Sequence, residues 1–116
     1  LCVKGLRMSE RLMLVVTVPP DNVAAVLDAI AQAGGGRTGH YTHCAFTNPG
    51  SGRFRPNEAA KPHLGTVGAI NSEAEVRIET FCDRKAGKAV VAAIREAHPY
   101  EEPVIYIVPL LSEADL

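Results

Sequence analysis

Arg11-Leu12-Met13-Leu14-Val15-Val16-Thr17-Val18 is the stretch that decides the fold of this chain. Leu12, Leu14 and Val16 alternate with Met13 and Val15, so both faces of the segment are apolar. A strand that is apolar on both sides belongs in the middle of a sheet with both faces covered. Pro19-Pro20-Asp21 stops it, and Asp21 is placed to cap a helix. Val23, Val26, Leu27 and Ile30 then recur at helical spacing, and Gly34-Gly35-Gly36 ends the helix, the first glycine suiting the left-handed position.

Further along, Tyr41 to Thr47 predicts a second strand, and Asn48-Pro49-Gly50-Ser51-Gly52 reads as a turn. Arg53 to Asn71 is a long irregular stretch rich in Gly and Pro, the kind of loop that serves binding or assembly. Glu75 to Cys82 predicts a third strand, with Val76 and Ile78 toward the core and Glu75, Arg77 and Glu79 on the other face. Asp83 is placed to cap a second helix striped by Val90, Ala93, Ile94 and Ala97; Pro99 stops it, and Pro103 to Val108 predicts the last strand.

The order strand-helix-strand-strand-helix-strand defines an α+β, ferredoxin-like βαββαβ sandwich. It has a four-stranded antiparallel sheet, both helices on one face, central first and third strands, and a long loop between strands 2 and 3. The apolar outer face of the first strand then needs a cover, and a second copy of the chain is the expected one.

The 116 residues suffice for one domain. Met8-Ser9-Glu10 reads as a natural start, so residues 8–116 are taken as the domain and residues 1–7 as a leader outside it. A formal net charge of -1 argues against a nucleic-acid surface, which needs clustered cations. No apolar run reaches the ~20 residues that span a bilayer. With no secretory signal, Cys44 and Cys82 are expected as reduced thiols in the cytoplasm, although a disulfide between them stays open.

Gly34 to Gly39 is no phosphate loop, because it follows a helix and precedes a strand, the reverse of the order that aims a helix N-terminus at an anion. His40, His43 and Cys44 suggest a metal, but His40 and Cys44 lie about 13 Å apart on a regular strand. A metal there must recruit other segments or other subunits. His98-Pro99-Tyr100-Glu101-Glu102 is the densest cluster of functional groups; by spacing it reads first as a helix-to-strand corner and second as a ligand or metal site of His plus carboxylate. Arg53, Arg55 and Lys61 lie in the long loop and suit an anion or a neighbouring subunit. There is no Gly-x-Ser-x-Gly, His-Glu-x-x-His or Cys-x-x-Cys motif.

In order along the chain, Gly39-His40-Tyr41-Thr42-His43-Cys44-Ala45-Phe46, Gly52-Arg53-Phe54-Arg55-Pro56, Pro62-His63-Leu64-Gly65, Glu75-Val76-Arg77-Ile78-Glu79 and His98-Pro99-Tyr100-Glu101-Glu102 resemble one family. It is the YqfO-type domain, an insertion in Nif-three-like proteins often called GTP cyclohydrolase I type 2 homologues. The resemblance covers about Leu12 to Leu110. The last segment is also similar to CutA, a trimeric protein linked to divalent-cation tolerance, and more distantly to the PII signalling fold. The resemblance implies a CutA/PII-like core that self-associates, with a trimer favoured. The family's dinuclear metal site lies in domains flanking this one, so neither that site nor its hydrolase chemistry is carried over.

The expected function is a non-enzymatic oligomeric binding or sensing module, with an unidentified ligand or a divalent metal ion at subunit boundaries and room for a protein partner. The candidate ligand-binding residues are Tyr41, Arg53, Arg55, Tyr100 and Glu102; the candidate metal ligands are His43, His98 and Glu101; no residue is assigned as catalytic. The alternatives are a metal-dependent hydrolase-type enzyme using His and Glu ligands, and a purely structural interaction domain.

Overall fold

In the computed structural model, which describes residues 10–116, the chain builds four strands and two helices: β1 (Arg11–Val18), α1 (Val23–Gln32), β2 (Phe46–Phe54), β3 (Asn71–Asp83), α2 (Gly87–Ala97) and β4 (Ile105–Leu110). The sheet order is β2-β3-β1-β4 and every pair is antiparallel. The first and third strands are central, in agreement with the double-sided apolar character of the first. The expectation about the leader, 1–7, concerns residues outside those described.

The register explains the core. Val16 lies between Ile78 of β3 and Ile105 of β4. Leu12, Leu14, Val16 and Val18 therefore share a face with Ile78 and Cys82, and this face packs on Val26 and Ile30 of α1 and on Val90 and Ile94 of α2. Burying each such aliphatic side chain contributes about 1.5–3 kcal/mol. Both helices thus cover one face of the sheet. The other face carries Val15, Thr17, Glu75, Phe81 and Tyr106, and on it Phe46, Tyr106 and Val108 are exposed in the single chain.

The helix ends differ from expectation at their starts. Asp21 lies inside a 3-10 turn, Pro20–Asn22, that leads into α1, and Asn22 occupies the cap without a side-chain bond. Asp83 precedes a similar turn, Arg84–Ala86, without capping it, and pairs instead with Arg11 at 3.8 Å. The end of α1 is as expected: Gly34 takes φ 101°, Gly34 N–H donates to Ala31 O at 3.1 Å, and Gly35 N–H donates to Ile30 O at 2.8 Å. This is a Schellman motif, and the positive φ suits glycine.

The largest correction concerns β2. It runs through Asn48–Gly52, where the sequence predicts a turn, and pairs with β3 from Phe46↔Glu79 to Phe54↔Asn71. β2 is an edge strand, and Pro49 is tolerated there because an edge has one side with no ladder to break. β3 is correspondingly longer than predicted, at 13 residues. The segment from 36 to 44, predicted in part as strand, instead closes against β3: Gly36 N–H donates to Phe81 O at 2.7 Å and Thr80 Oγ1 donates to Cys44 O at 2.7 Å. Cys44 and Cys82 are free thiols. Burial raises the pKa of the Cys82 thiol, Asp83 adds to the rise, and Arg11 opposes it.

Candidate functional site

Pro99 cannot continue α2, so the chain leaves the helix at His98, whose own N–H closes the last turn on Ile94 O at 2.9 Å. The His98 ring turns inward and is buried. Its Nε2 donates to Thr17 O at 2.7 Å, and its Nδ1 accepts the Tyr100 N–H at 3.1 Å. These partners require the neutral tautomer with the proton on Nε2. The β4 ladder on β1 reaches only Val16↔Ile105, so His98 supplies the donor at the next carbonyl.

This anchoring lays Tyr100 over the outer face of the sheet. Its hydroxyl donates to Glu75 Oε2 at 2.7 Å, and its ring rests between His98, at 4.8 Å centroid to centroid, and His63 of the long loop, at 6.3 Å. The phenol pKa lies far above the ordinary tyrosine value, through burial first, then the hydrogen bond to Glu75, then the charges of Glu75 and Glu73. Tyr100 therefore remains a neutral donor. Glu75 is only 8% exposed. Its register partner is Gly50, but its carboxylate leans along the edge strand and rests on Gly52, where a Cβ would overlap it.

The long loop roofs this spot. Glu101 Oε1 accepts the Lys61 N–H at 2.8 Å and fastens the loop to the corner after α2. Asn71 holds its far end, accepting from Thr66 N–H at 2.9 Å and donating to Thr66 O at 3.0 Å and Ala69 O at 2.9 Å. Between sheet, loop and corner lies a cavity of about 430 Å³. Glu75, Thr17 and Gly52 lie at its base, with Phe54, Leu64 and Tyr106 among its apolar walls. That volume lies within the usual range for small-molecule sites, roughly 300–1,000 Å³.

Of the residues singled out from sequence, Arg53, Arg55, Tyr100, Glu101 and Glu102 border this one cavity. Arg53 pairs with Ser72, on the alternate face of β2 from Gly52 and Phe54. Tyr41, His43 and His98 do not border it. Tyr41 is 72% exposed and forms a small bridge with Thr38. His43 sits at φ 60°, exposed, hydrogen-bonded to Thr42 Oγ1 at 2.9 Å.

The proposed metal ligands His43, His98 and Glu101 are not brought together. Both His98 ring nitrogens are committed to backbone groups, and one Glu101 oxygen is committed to Lys61. Among the described residues no group of three or more His, Cys, Asp and Glu side chains is arranged to hold a metal ion. Sequence reading missed Glu75 and Gly52 as site residues. Their signal is pairwise: a carboxylate on the outer face of a strand needs a side-chain-free neighbour and a donor from elsewhere in the chain.

The architecture is a CutA-like α+β fold, a four-stranded antiparallel sheet with two helices on one face. No protein-family profile matches the chain. It is 43% identical over 97 residues to the GTP cyclohydrolase 1 type 2 homologue of Mycobacterium leprae, covering 84% of this chain and 25% of that protein. It is 39% identical over 102 residues to that of Halalkalibacterium halodurans, covering 88% of this chain and 27% of that protein. The crystal structure of a Bacillus cereus protein related to NIF3 superposes with a TM-score of 0.79 at 34% identity, over 92% of this chain and 27% of that one. CutA from Archaeoglobus fulgidus shares the fold, with a TM-score of 0.64 at 13% identity over 88% of this chain and 85% of that one. The domain is a YqfO-type domain of the Nif-three-like family. The chain spans about a quarter of the length of the curated relatives it matches.

Proposed function

We propose that this domain is a non-enzymatic, self-associating binding module whose ligand occupies the cavity on the outer face of the sheet. The observation that carries the reading is the Tyr100–Glu75 hydrogen bond inside a roofed cavity, bordered by five of the residues that sequence alone had marked. A buried carboxylate held in a mostly apolar cleft is costly to keep unless it serves structure or binding. Self-association is supported by the exposed Phe46, Tyr106 and Val108 on the uncovered sheet face and by the CutA-like fold, with a homotrimer as the expected assembly. In longer relatives the domain suits insertion, because its first and last strands meet side by side at Arg11↔Leu110. The free thiols Cys44 and Cys82 suit a reducing, cytoplasmic setting.

A divalent metal ion is part of the proposal only as a species held between copies, since the described residues of one chain do not assemble the ligands. A thermal-shift screen of a metabolite library against wild type and Gly52→Ala tests the cavity. Ligands that stabilise wild type and lose that effect in Gly52→Ala support it; ligands that act equally on both contradict it. Sedimentation velocity at micromolar concentration tests assembly, and a strictly monomeric protein contradicts that part.

A further inference from the structure

We propose that the cavity binds a small organic cation, a primary or methylated ammonium on an aromatic or apolar body, with Glu75 as its counter-ion. The inference deepens the cavity reading above and rests on it. Three observations carry it. Glu75 is more than nine-tenths buried, its Oε2 is held by Tyr100, and no described group donates to its Oε1. A carboxylate oxygen with no donor of its own gains most from a charged N–H donor.

The second observation is the choice of walls. The chain has three Phe, three Tyr and no Trp, and Phe54, Tyr100 and Tyr106 all border this one cavity. Aromatic faces around a carboxylate form the environment that attracts ammonium groups. The third is a shortage of ligands for a fixed metal ion: among the described residues no group of three or more His, Cys, Asp and Glu side chains is placed to hold one, and one oxygen of Glu75 is taken by the Tyr100 hydroxyl. A compact ammonium needs one carboxylate oxygen and aromatic or apolar walls, which Glu75, Phe54, Tyr100 and Tyr106 supply, while Glu101 and Glu102 offset the charges of Arg53 and Arg55 among the residues that border the cavity.

The test uses the full chain labelled with ¹⁵N and three probes of like size: benzylammonium, benzyl alcohol and benzoate. Benzylammonium is expected to shift the amides of Gly52, Glu75 and Tyr100. Benzyl alcohol is expected to bind those residues about tenfold more weakly, the cost of losing a charge-assisted bond, and benzoate not to bind. Glu75→Gln is expected to bring benzylammonium down to the alcohol's affinity. Should that variant not fold, Phe54→Leu, which removes a ring and keeps an apolar wall, is expected to weaken benzylammonium several-fold. Benzoate binding as well as benzylammonium at these residues overturns the cation assignment and leaves the cavity reading standing. Shifts confined to residues away from the cavity overturn both. A lysine or arginine side chain of a second copy found on Glu75 also overturns the small-molecule assignment.

Discussion

Tyr100, on the corner after α2, donates its hydroxyl to Glu75 of β3 at 2.7 Å, joining the end of a helix to the outer face of the sheet. The contact fixes where the corner lies. It also turns a strand carboxylate, otherwise solvated, into the buried base of a cavity. Tyr100→Phe removes the donor and leaves Glu75 Oε2 unpaired. Stability by urea unfolding is expected to fall by about 1.5–3 kcal/mol, the usual range for a bond to a charged group.

The same contact sets an alkaline limit. The phenol pKa is raised in the folded state above its ordinary value of 10.0, so the unfolded chain gives up its proton first. Stabilisation from this group is complete below pH 10 and is lost as pH rises toward the folded-state value. Thermal unfolding followed from pH 8 upward is expected to show a decline beginning near pH 10. Tyr100→Phe, measured in parallel, is expected to lose that component.

Gly52→Ala puts a Cβ where the Glu75 carboxylate rests. The carboxylate must move off the edge strand or break from Tyr100. Overpacking of this kind costs about 1–3 kcal/mol. Unfolding by denaturant gives the cost, and an unchanged midpoint means that Glu75 has an alternative seat.

His98→Ala separates a structural role from a metal role. The ring bonds Thr17 O and Tyr100 N, so its removal is expected to cost about 2 kcal/mol from two lost hydrogen bonds. Metal content by elemental analysis is expected to be the same in variant and wild type. Loss of a bound metal with unchanged stability contradicts this assignment.

Much of the fold is legible in local pattern. The double-sided apolar run Arg11–Val18 is the central strand β1, and the helical spacings of Val26, Ile30, Val90 and Ile94 mark the residues that cover it. β2 was hidden because Asn48-Pro49-Gly50-Ser51-Gly52 has local turn chemistry, overridden by pairing with β3 that no local pattern reports. The site was half legible for the same reason. Tyr100, Glu101 and Glu102 announce themselves as a cluster, and Arg53 and Arg55 as loop cations. The role of His98 depends on Thr17 O, 81 residues away, and that of Glu75 on Tyr100, 25 residues away.

The most direct test of the central claim, that the outer-face cavity is the ligand site, is amide chemical-shift mapping of the labelled chain with the strongest hits from the metabolite screen. The structure predicts shifts centred on Gly52, Glu75 and Tyr100 and on the loop around Lys61 and His63, abolished in Gly52→Ala. Shifts centred instead on the outer surfaces of α1 and α2, with the cavity amides unmoved, would contradict it.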